Sequence, residues 1–108
     1  MLSLELVKQH CNIDTDFTDD DKLLAIYIGS AVRYVENYTR RKLYENGSSE
    51  GYQADPEPLL LGDDVKNAML LLIGQWYENR EATNIGSITS ALPFATEALL
   101  QPYRIYGL

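Results

Sequence analysis

The sequence predicts an all-α protein, a small bundle of about four helices with a long uncharged loop or hairpin between the last two. In four segments, apolar residues recur every three or four positions, which is the spacing of one helix face. Turn-forming residues separate these segments, and no charged residue stands between Glu81 and Glu97. A chain of 108 residues, 45% of them apolar, is expected to form one domain over residues 1–108.

The first two helices are predicted from their starts and their periodicity. Ser3 can cap a helix over residues 4–11, in which Leu4, Val7 and Cys11 share one face. Residues 12–17 are rich in turn formers and predict a linker. Thr18 and Asp21 have the spacing of a capping box, so a second helix is expected over residues 19–39. Its apolar positions are Leu24, Tyr27, Ile28, Ala31, Val35 and Tyr38.

The middle of the chain predicts a loop followed by a central helix. Glycines, prolines and acidic residues fill residues 45–58, which is typical of a loop, with a weak strand over residues 42–45 or 51–54. Asp63 can cap a third helix. Because this helix is apolar nearly all round, we expect other helices or another subunit to bury it.

Residues 82–92 form an uncharged segment that places Ile85, Ile88 and Leu92 among small polar residues. A loop of this length is unusual in a small domain, and an exposed, partly apolar segment is typical of a protein interface. The alternative is a local hairpin that folds on the core of its own chain.

The C-terminal part predicts a last short helix and a short tail. The helix is expected over residues 95–101, with Pro93 before it and Pro102 ending it. The tail, residues 103–108, is largely apolar.

The overall charge of the chain argues against binding to nucleic acid. The chain has nine Lys and Arg residues and 16 Asp and Glu residues, so the net charge is −7 and the pI is about 4.5. Such a chain repels nucleic acid unless a local basic patch overcomes the repulsion. The candidate contact is the basic run Arg40, Arg41 and Lys42, preceded by Arg33 and interleaved with Tyr34 and Tyr38. The alternative is that these cations stabilise the end of the second helix, and that the tyrosines belong to a core or interface.

Catalytic motifs are weak. His10 and Cys11 do not form a nucleophile and its base, because adjacent helical residues point about 100° apart. Cys11 lies on the apolar face, where a thiol is usually an inert core residue, and His10 is expected at the surface. No Gly-rich phosphate loop, nucleophile elbow or His-Glu-x-x-His run occurs. We expect no enzymatic activity, no catalytic residues and no cofactor.

An acidic run precedes the second helix and raises the question of a metal site. Its members are Asp14, Asp16, Asp19, Asp20 and Asp21. Their spacing is not that of a calcium-binding loop, which needs a central glycine and a distal glutamate. Helix capping and a solvated face are therefore favoured, and no bound metal is expected.

Targeting signals are also weak in this sequence. The N-terminus lacks the basic start and apolar run of a signal peptide, and no stretch reaches the roughly 18 apolar residues of a membrane span. The one cysteine cannot form an internal disulfide. A cytoplasmic location without membrane association is the expectation.

Two segments on either side of the uncharged stretch have a recognisable pattern. Residues 71–82 read Leu-Leu-Ile-Gly-Gln-Trp-Tyr-Glu-Asn-Arg-Glu-Ala, and Leu92-Pro93-Phe94 leads on to Leu-Leu-Gln-Pro-Tyr-Arg at 99–104. This order resembles the head-to-tail connector family of tailed bacteriophages and prophages. In the N-terminal half, Val-Glu-Asn-Tyr-Thr at 35–39 before a basic residue is similar to the family pattern. Two departures are Arg40, where a glycine is expected, and Gly62-Asp63, where a proline often opens the third helix.

The resemblance implies a structural role. Family members form a ring, about twelve-fold, beneath the portal at the capsid vertex, with head-to-tail contacts between subunits. The ring extends the DNA channel, which DNA crosses without sequence-specific binding, and supports tail or head-completion proteins. The implied locations are the host bacterial cytoplasm during assembly and then the head-tail junction of the virion.

Two contact regions follow if the chain is such a connector. The arm, Ile85, Ile88 and Leu92, is predicted to lie on a neighbouring subunit. The tail, with Tyr103, Ile105 and Tyr106, is predicted to dock on the portal protein. The alternative function is a nucleic-acid-binding accessory protein of DNA packaging that uses Arg40, Arg41 and Lys42. A weaker third option is a small helical interaction protein with an unrelated partner.

Overall fold

The computed structural model describes residues 2–78 and 91–105. In chain order the elements are α1 (Leu4–His10), α2 (Asp21–Thr39), β1 (Leu43–Tyr44), β2 (Leu59–Leu60), α3 (Asp63–Glu78) and α4 (Ala91–Leu100), and a 3-10 turn (Gln101–Tyr103) follows α4. The four predicted helices are present. Of the segment predicted as an uncharged loop or hairpin, residues 82–90 lie outside the described part of the chain.

The starts of α1 and α2 differ in how they are capped. The Ser3 hydroxyl accepts a hydrogen bond from the Leu6 N–H at 3.1 Å, so the predicted cap of α1 is confirmed. The predicted capping box of α2 is wrong, because Asp20 occupies the cap position and its side chain makes no capping bond. The Asp20 carboxylate instead accepts a hydrogen bond from the Tyr77 hydroxyl, 2.7 Å away at the far end of α3.

The starts of α3 and α4 also correct the sequence interpretation. Asp63 is the first residue of α3 rather than a cap before it. The last helix begins at Ala91, four residues earlier than predicted, so Pro93 lies inside its first turn. A proline is tolerated there because the first N–H groups of a helix have no partner within the helix. The helix ends at Leu100, and Pro102 lies in the 3-10 turn that follows.

The all-α prediction is wrong in one respect, because β1 and β2 form a small parallel sheet. The Leu59 N–H donates to the Lys42 carbonyl at 3.1 Å, and the Leu61 N–H donates to the Tyr44 carbonyl at 2.9 Å. On the opposite edge of β1, the Leu43 N–H donates to the Glu36 carboxylate at 2.9 Å. The first predicted strand, 42–45, contains β1, whereas residues 51–54 form turns.

The core lies between α2, α3 and α4, with α1 and the sheet at its margins. The large side chains that are fully buried include Leu24 of α2, Met69 and Ile73 of α3, and Leu100 of α4. The helix α3 contacts α1, α2 and α4 and buries Val65, Ala68, Met69, Leu72 and Ile73, as expected of the central helix that its sequence predicts. In the described residues, no helix is both long and apolar enough to span a bilayer.

Candidate interaction surfaces

Lys8 organises the acidic segment that precedes α2. Its side chain is only 5% exposed, and its ammonium group donates to the Phe17 carbonyl at 2.6 Å and to the Thr15 carbonyl at 3.4 Å. The same group forms an ion pair with the Asp21 carboxylate at 2.8 Å. One buried cation therefore holds the linker against α1 and neutralises the first acid of α2.

The acidic run does not converge on a common centre in the described residues. Asp20 binds the Tyr77 hydroxyl and Asp21 pairs with Lys8, whereas Asp14, Asp16 and Asp19 are exposed. Within residues 2–78 and 91–105, no group of three or more His, Cys, Asp or Glu residues could hold a metal ion. The run therefore divides into two structural acids and three solvated ones.

Cys11 and His10, at the end of α1, differ in their exposure. Cys11 is half-buried against the core, and burial, followed by the charge of Glu78, raises the pKa of its thiol. A raised pKa disfavours the reactive thiolate. His10 is exposed, and its imidazole covers Gly74 of α3 so closely that a Cβ at Gly74 would stand 3.0 Å from Nε2. A Cβ at Gly74 would therefore require the exposed imidazole to shift.

The members of the basic run have three different surroundings. Arg40 follows the last residue of α2 in the left-handed conformation, with φ +60°. The Arg41 guanidinium donates from Nε to the Tyr103 carbonyl at 2.6 Å. The Lys42 ammonium lies 5.7 Å from the centre of the Tyr44 ring. Arg41 therefore serves the chain's own C-terminal segment, and the run is not a uniform row of solvated cations.

We expect Arg40→Gly to stabilise the protein by about 0.5–1 kcal/mol, because the left-handed conformation is strained for arginine and free for glycine. Thermal and urea unfolding measure the effect. Arg33→Gly is the matched control, since Arg33 lies inside α2, where glycine costs about 1 kcal/mol. Equal destabilisation by both substitutions would contradict the assignment of strain to Arg40.

The residues after α4 form a strap, defined here as residues 101–105, that crosses back over α2 and α3. The Tyr103 hydroxyl donates to the Asp64 carboxylate in the first turn of α3. The Ile105 N–H donates to the Thr39 carbonyl at 3.0 Å, at the end of α2. Arg104 lies 4.8 Å above the Tyr38 ring, which in turn stacks on Tyr34 with nearly parallel planes. The tyrosines beside the basic run thus belong to an internal contact with the strap.

The strap makes the stability of the folded protein vary with pH in the alkaline range. The hydrogen bond to Asp64, and then burial, raise the pKa of the Tyr103 phenol. A phenol whose pKa is raised by folding stabilises the folded protein. This stabilisation is complete below the pKa of the unfolded chain, about 10, and it is lost as the pH rises through the pKa of the folded chain. We expect Tyr103→Phe to cost about 1 kcal/mol at pH 7 and to weaken the alkaline decline in stability.

Unfolding of Tyr103→Phe in urea from pH 7 to 11 tests this expectation. Burial also raises the pKa values of Tyr34 and Tyr44, so a smaller decline remains. Tyr52→Phe is the control, because the Tyr52 hydroxyl makes no hydrogen bond within the described residues. A Tyr103→Phe profile parallel to that of the unmodified chain would refute the role of the Tyr103 hydroxyl.

The predicted contact residues are placed only in part. Ile85, Ile88 and Tyr106 lie outside the described residues, and Leu92 is described only as part of the backbone of α4. Tyr103 and Ile105, predicted to dock on the portal, contact Asp64, Arg41 and Thr39 of their own chain.

Sequence reasoning missed Lys8 and the strap. The signal for Lys8 was its position four residues after Leu4, on the face that α1 buries. The hydrogen-bond partners of the strap are remote in sequence, as Arg41 and Tyr103 are 62 positions apart. No local pattern points to such a pair.

Comparison with known proteins gives one family. The model of that family, described as phage gp6-like head-tail connector protein, matches residues 1–104. The match therefore runs from before α1 to the strap and includes every helix and strand described above. No curated protein and no solved structure matches the chain.

Proposed function

Since the chain belongs to the phage gp6-like head-tail connector family, we propose that it forms a ring at the portal vertex that joins the capsid to the tail and extends the DNA channel. The family match over residues 1–104 is the observation that carries this proposal. The chain is then a structural part of the virion head-tail junction, without catalytic activity, and it assembles in the cytoplasm of the bacterial host.

Ring assembly requires two different surfaces on each subunit, because head-to-tail contacts between identical subunits are heterologous. The uncharged segment 82–92 supplies one candidate, the arm with Ile85, Ile88 and Leu92. Leu92 belongs to α4, whose last residue Leu100 is buried beside α2 and α3. An arm that leads into α4 is therefore attached to the core of its own subunit.

The net charge of −7 suits a channel through which DNA passes. A surface with excess acid repels phosphate and does not retain the duplex. A nucleic-acid-binding accessory role, the alternative, needs free cations in the basic run. Arg41 is bound to the Tyr103 carbonyl and Lys42 lies over Tyr44, so this alternative is the weaker one.

Docking of the tail on the portal remains a prediction with a structural condition. Tyr103 and Ile105 bind α2 and α3 of their own chain. A portal contact through these residues must either break those bonds or use the outer surface of the strap.

Native mass spectrometry of the purified chain, with and without purified portal protein, tests the ring. We expect one closed oligomer of defined size, formed by the chain alone or on the portal as a template. A chain that stays monomeric at every concentration, also with the portal, would refute the ring. Steep salt-dependent binding to duplex DNA that Arg41→Glu abolishes would favour the accessory role instead.

Deletion of residues 84–91 is expected to leave a folded helical monomer that no longer forms the oligomer. The helices α1, α2 and α3 and the sheet precede the deletion, so their circular dichroism and cooperative unfolding are retained. Deletion of residues 47–50, in the loop between β1 and β2, is the control and leaves assembly unchanged. Normal assembly of the 84–91 deletion would show that the arm makes no essential contact.

A further inference from the structure

The outer face of α2 is a basic surface on an acidic protein. Exposed residues occupy this face along the whole helix and at the residue after it: Lys22, Ala25, Ile26, Gly29, Ser30, Arg33, Asn37 and Arg40. None of them is acidic. At about 100° per residue, Lys22 and Arg33 lie roughly opposite the buried Leu24 on the helix. The face therefore points away from the core. We call it the basic face.

The basic face has the features of an unfilled contact. Ile26 is 64% exposed, the largest exposure among the exposed large apolar side chains of the described residues. A Cβ at Gly29 would meet no atom within 4 Å, so the middle of the face is open. Lys22 and Arg33 make no hydrogen bond or ion pair with residues 2–78 or 91–105. Two solvated cations thus flank an apolar side chain and a flat surface.

A second surface of the same chain has the opposite charge. The segment before α2 exposes Phe17 by 42%, between the exposed acids Asp14, Asp16 and Asp19. We call these four residues the acidic patch. Lys8 holds the Phe17 carbonyl at 2.6 Å and pairs with Asp21 at 2.8 Å, so the patch is anchored where α1 meets the start of α2. Each of the two surfaces combines an exposed large apolar side chain with charges of one sign.

We propose that the basic face of one subunit binds the acidic patch of a second copy of this chain. The inference rests on the ring proposed above and names a subunit contact separate from the arm. Phe17 would cover the open part of α2 beside Ile26, and the acids of the patch would face the cations of the basic face. Because the two surfaces are different, their repeated pairing is heterologous, as a ring requires.

A second copy fits the basic face better than DNA does. Phosphate groups are bound by cations and polar groups, and an isoleucine at the centre of the surface makes no favourable contact with them. Protein interfaces instead bury an apolar centre inside a charged rim, and complementary charges select the partner. The chain carries both halves of such a contact.

Two charge-reversal variants test the contact. The first, Lys22→Glu with Arg33→Glu, reverses the basic face. The second, Asp14→Lys with Asp16→Lys, reverses the acidic patch and leaves Asp19, which is closer to the start of α2, unchanged. We expect each variant to fold normally by circular dichroism and to need at least about a tenfold higher concentration for half-assembly in native mass spectrometry.

Mixing the two variants is the decisive measurement. In the mixture each reversed surface meets its reversed counterpart, so we expect an oligomer that contains both variants in equal numbers. Lys42→Glu with Lys66→Glu is the matched control, since it makes the same change in charge at residues outside the basic face and is expected to leave assembly unchanged. The same proteins are titrated into labelled duplex DNA at two salt concentrations.

The outcomes separate this contact from the ring itself. Rings that survive reversal of the basic face, or a mixture that does not recover, overturn the contact and leave the ring standing. Loss of DNA binding with intact rings assigns the face to DNA and also overturns the contact. A wild-type dimer that the variants abolish and the mixture restores supports the contact and refutes the ring. A wild-type chain that never associates, also with the portal, overturns both.

Discussion

Leu100→Ala is expected to destabilise the protein by about 3 kcal/mol, because it leaves a cavity where the end of α4 meets α2 and α3. Leu100 is fully buried and belongs to the same core cluster as Leu24 and Ile73. For a chain of this size, such a loss lowers the Tm by roughly 15 °C. Urea unfolding followed by circular dichroism measures it.

Leu99→Ala is the matched control for this cavity. Leu99 is the adjacent residue of α4 and is only partly buried against the core, so its truncation is expected to cost about 1 kcal/mol. The comparison separates loss of packing at one buried position from a general weakening of α4. Similar costs for the two substitutions would mean that α4 is not anchored through Leu100.

Lys8→Met is expected to cost about 2 kcal/mol, because it removes the cation from a buried site and leaves Asp21 without its partner. The cost stays below that of a fully buried pair, since the Asp21 side chain is one-third exposed and water can reach it. Exchange of the Phe17 amide, which donates to the Asp14 carbonyl, is expected to accelerate as the linker loosens.

A double-mutant cycle with Asp21→Asn identifies the cause. If the uncompensated carboxylate dominates the cost, the double variant is more stable than Lys8→Met alone. If the lost bonds to the Thr15 and Phe17 carbonyls dominate, the second substitution brings no recovery. Unchanged stability of Lys8→Met would mean that the buried ammonium contributes nothing to folding.

The helices could be predicted because their signals are local. Apolar periodicity places α1 and α2 within about two residues of their observed bounds. The predicted start of α4 is four residues later than the observed one. A proline often precedes a helix, but Pro93 lies in the first turn, which accommodates it. The family resemblance is confirmed by the match over residues 1–104. It could be recognised from the sequence because its motifs are runs of consecutive residues.

The remaining features could not be predicted, because they depend on contacts between residues that are distant in sequence. The sheet joins Leu43 to Leu59, and two residues on each side are too few to impose a period of two. The basic run could be found from composition, but not the Tyr103 carbonyl that binds Arg41. The apolar period of α2 does predict that Lys22 and Arg33 lie away from its buried face, whereas the 64% exposure of Ile26 between them is seen only in the structure.

The small sheet has an evolutionary consequence. The chain leaves the bundle after Tyr44 and returns at Leu59, and the pairing of Leu43 with Leu59 closes the base of this excursion. Doubling the length of a flexible loop costs only about 0.6 kcal/mol once its ends are held. Insertions and deletions between residues 45 and 58 can therefore accumulate without changing how α2 and α3 pack.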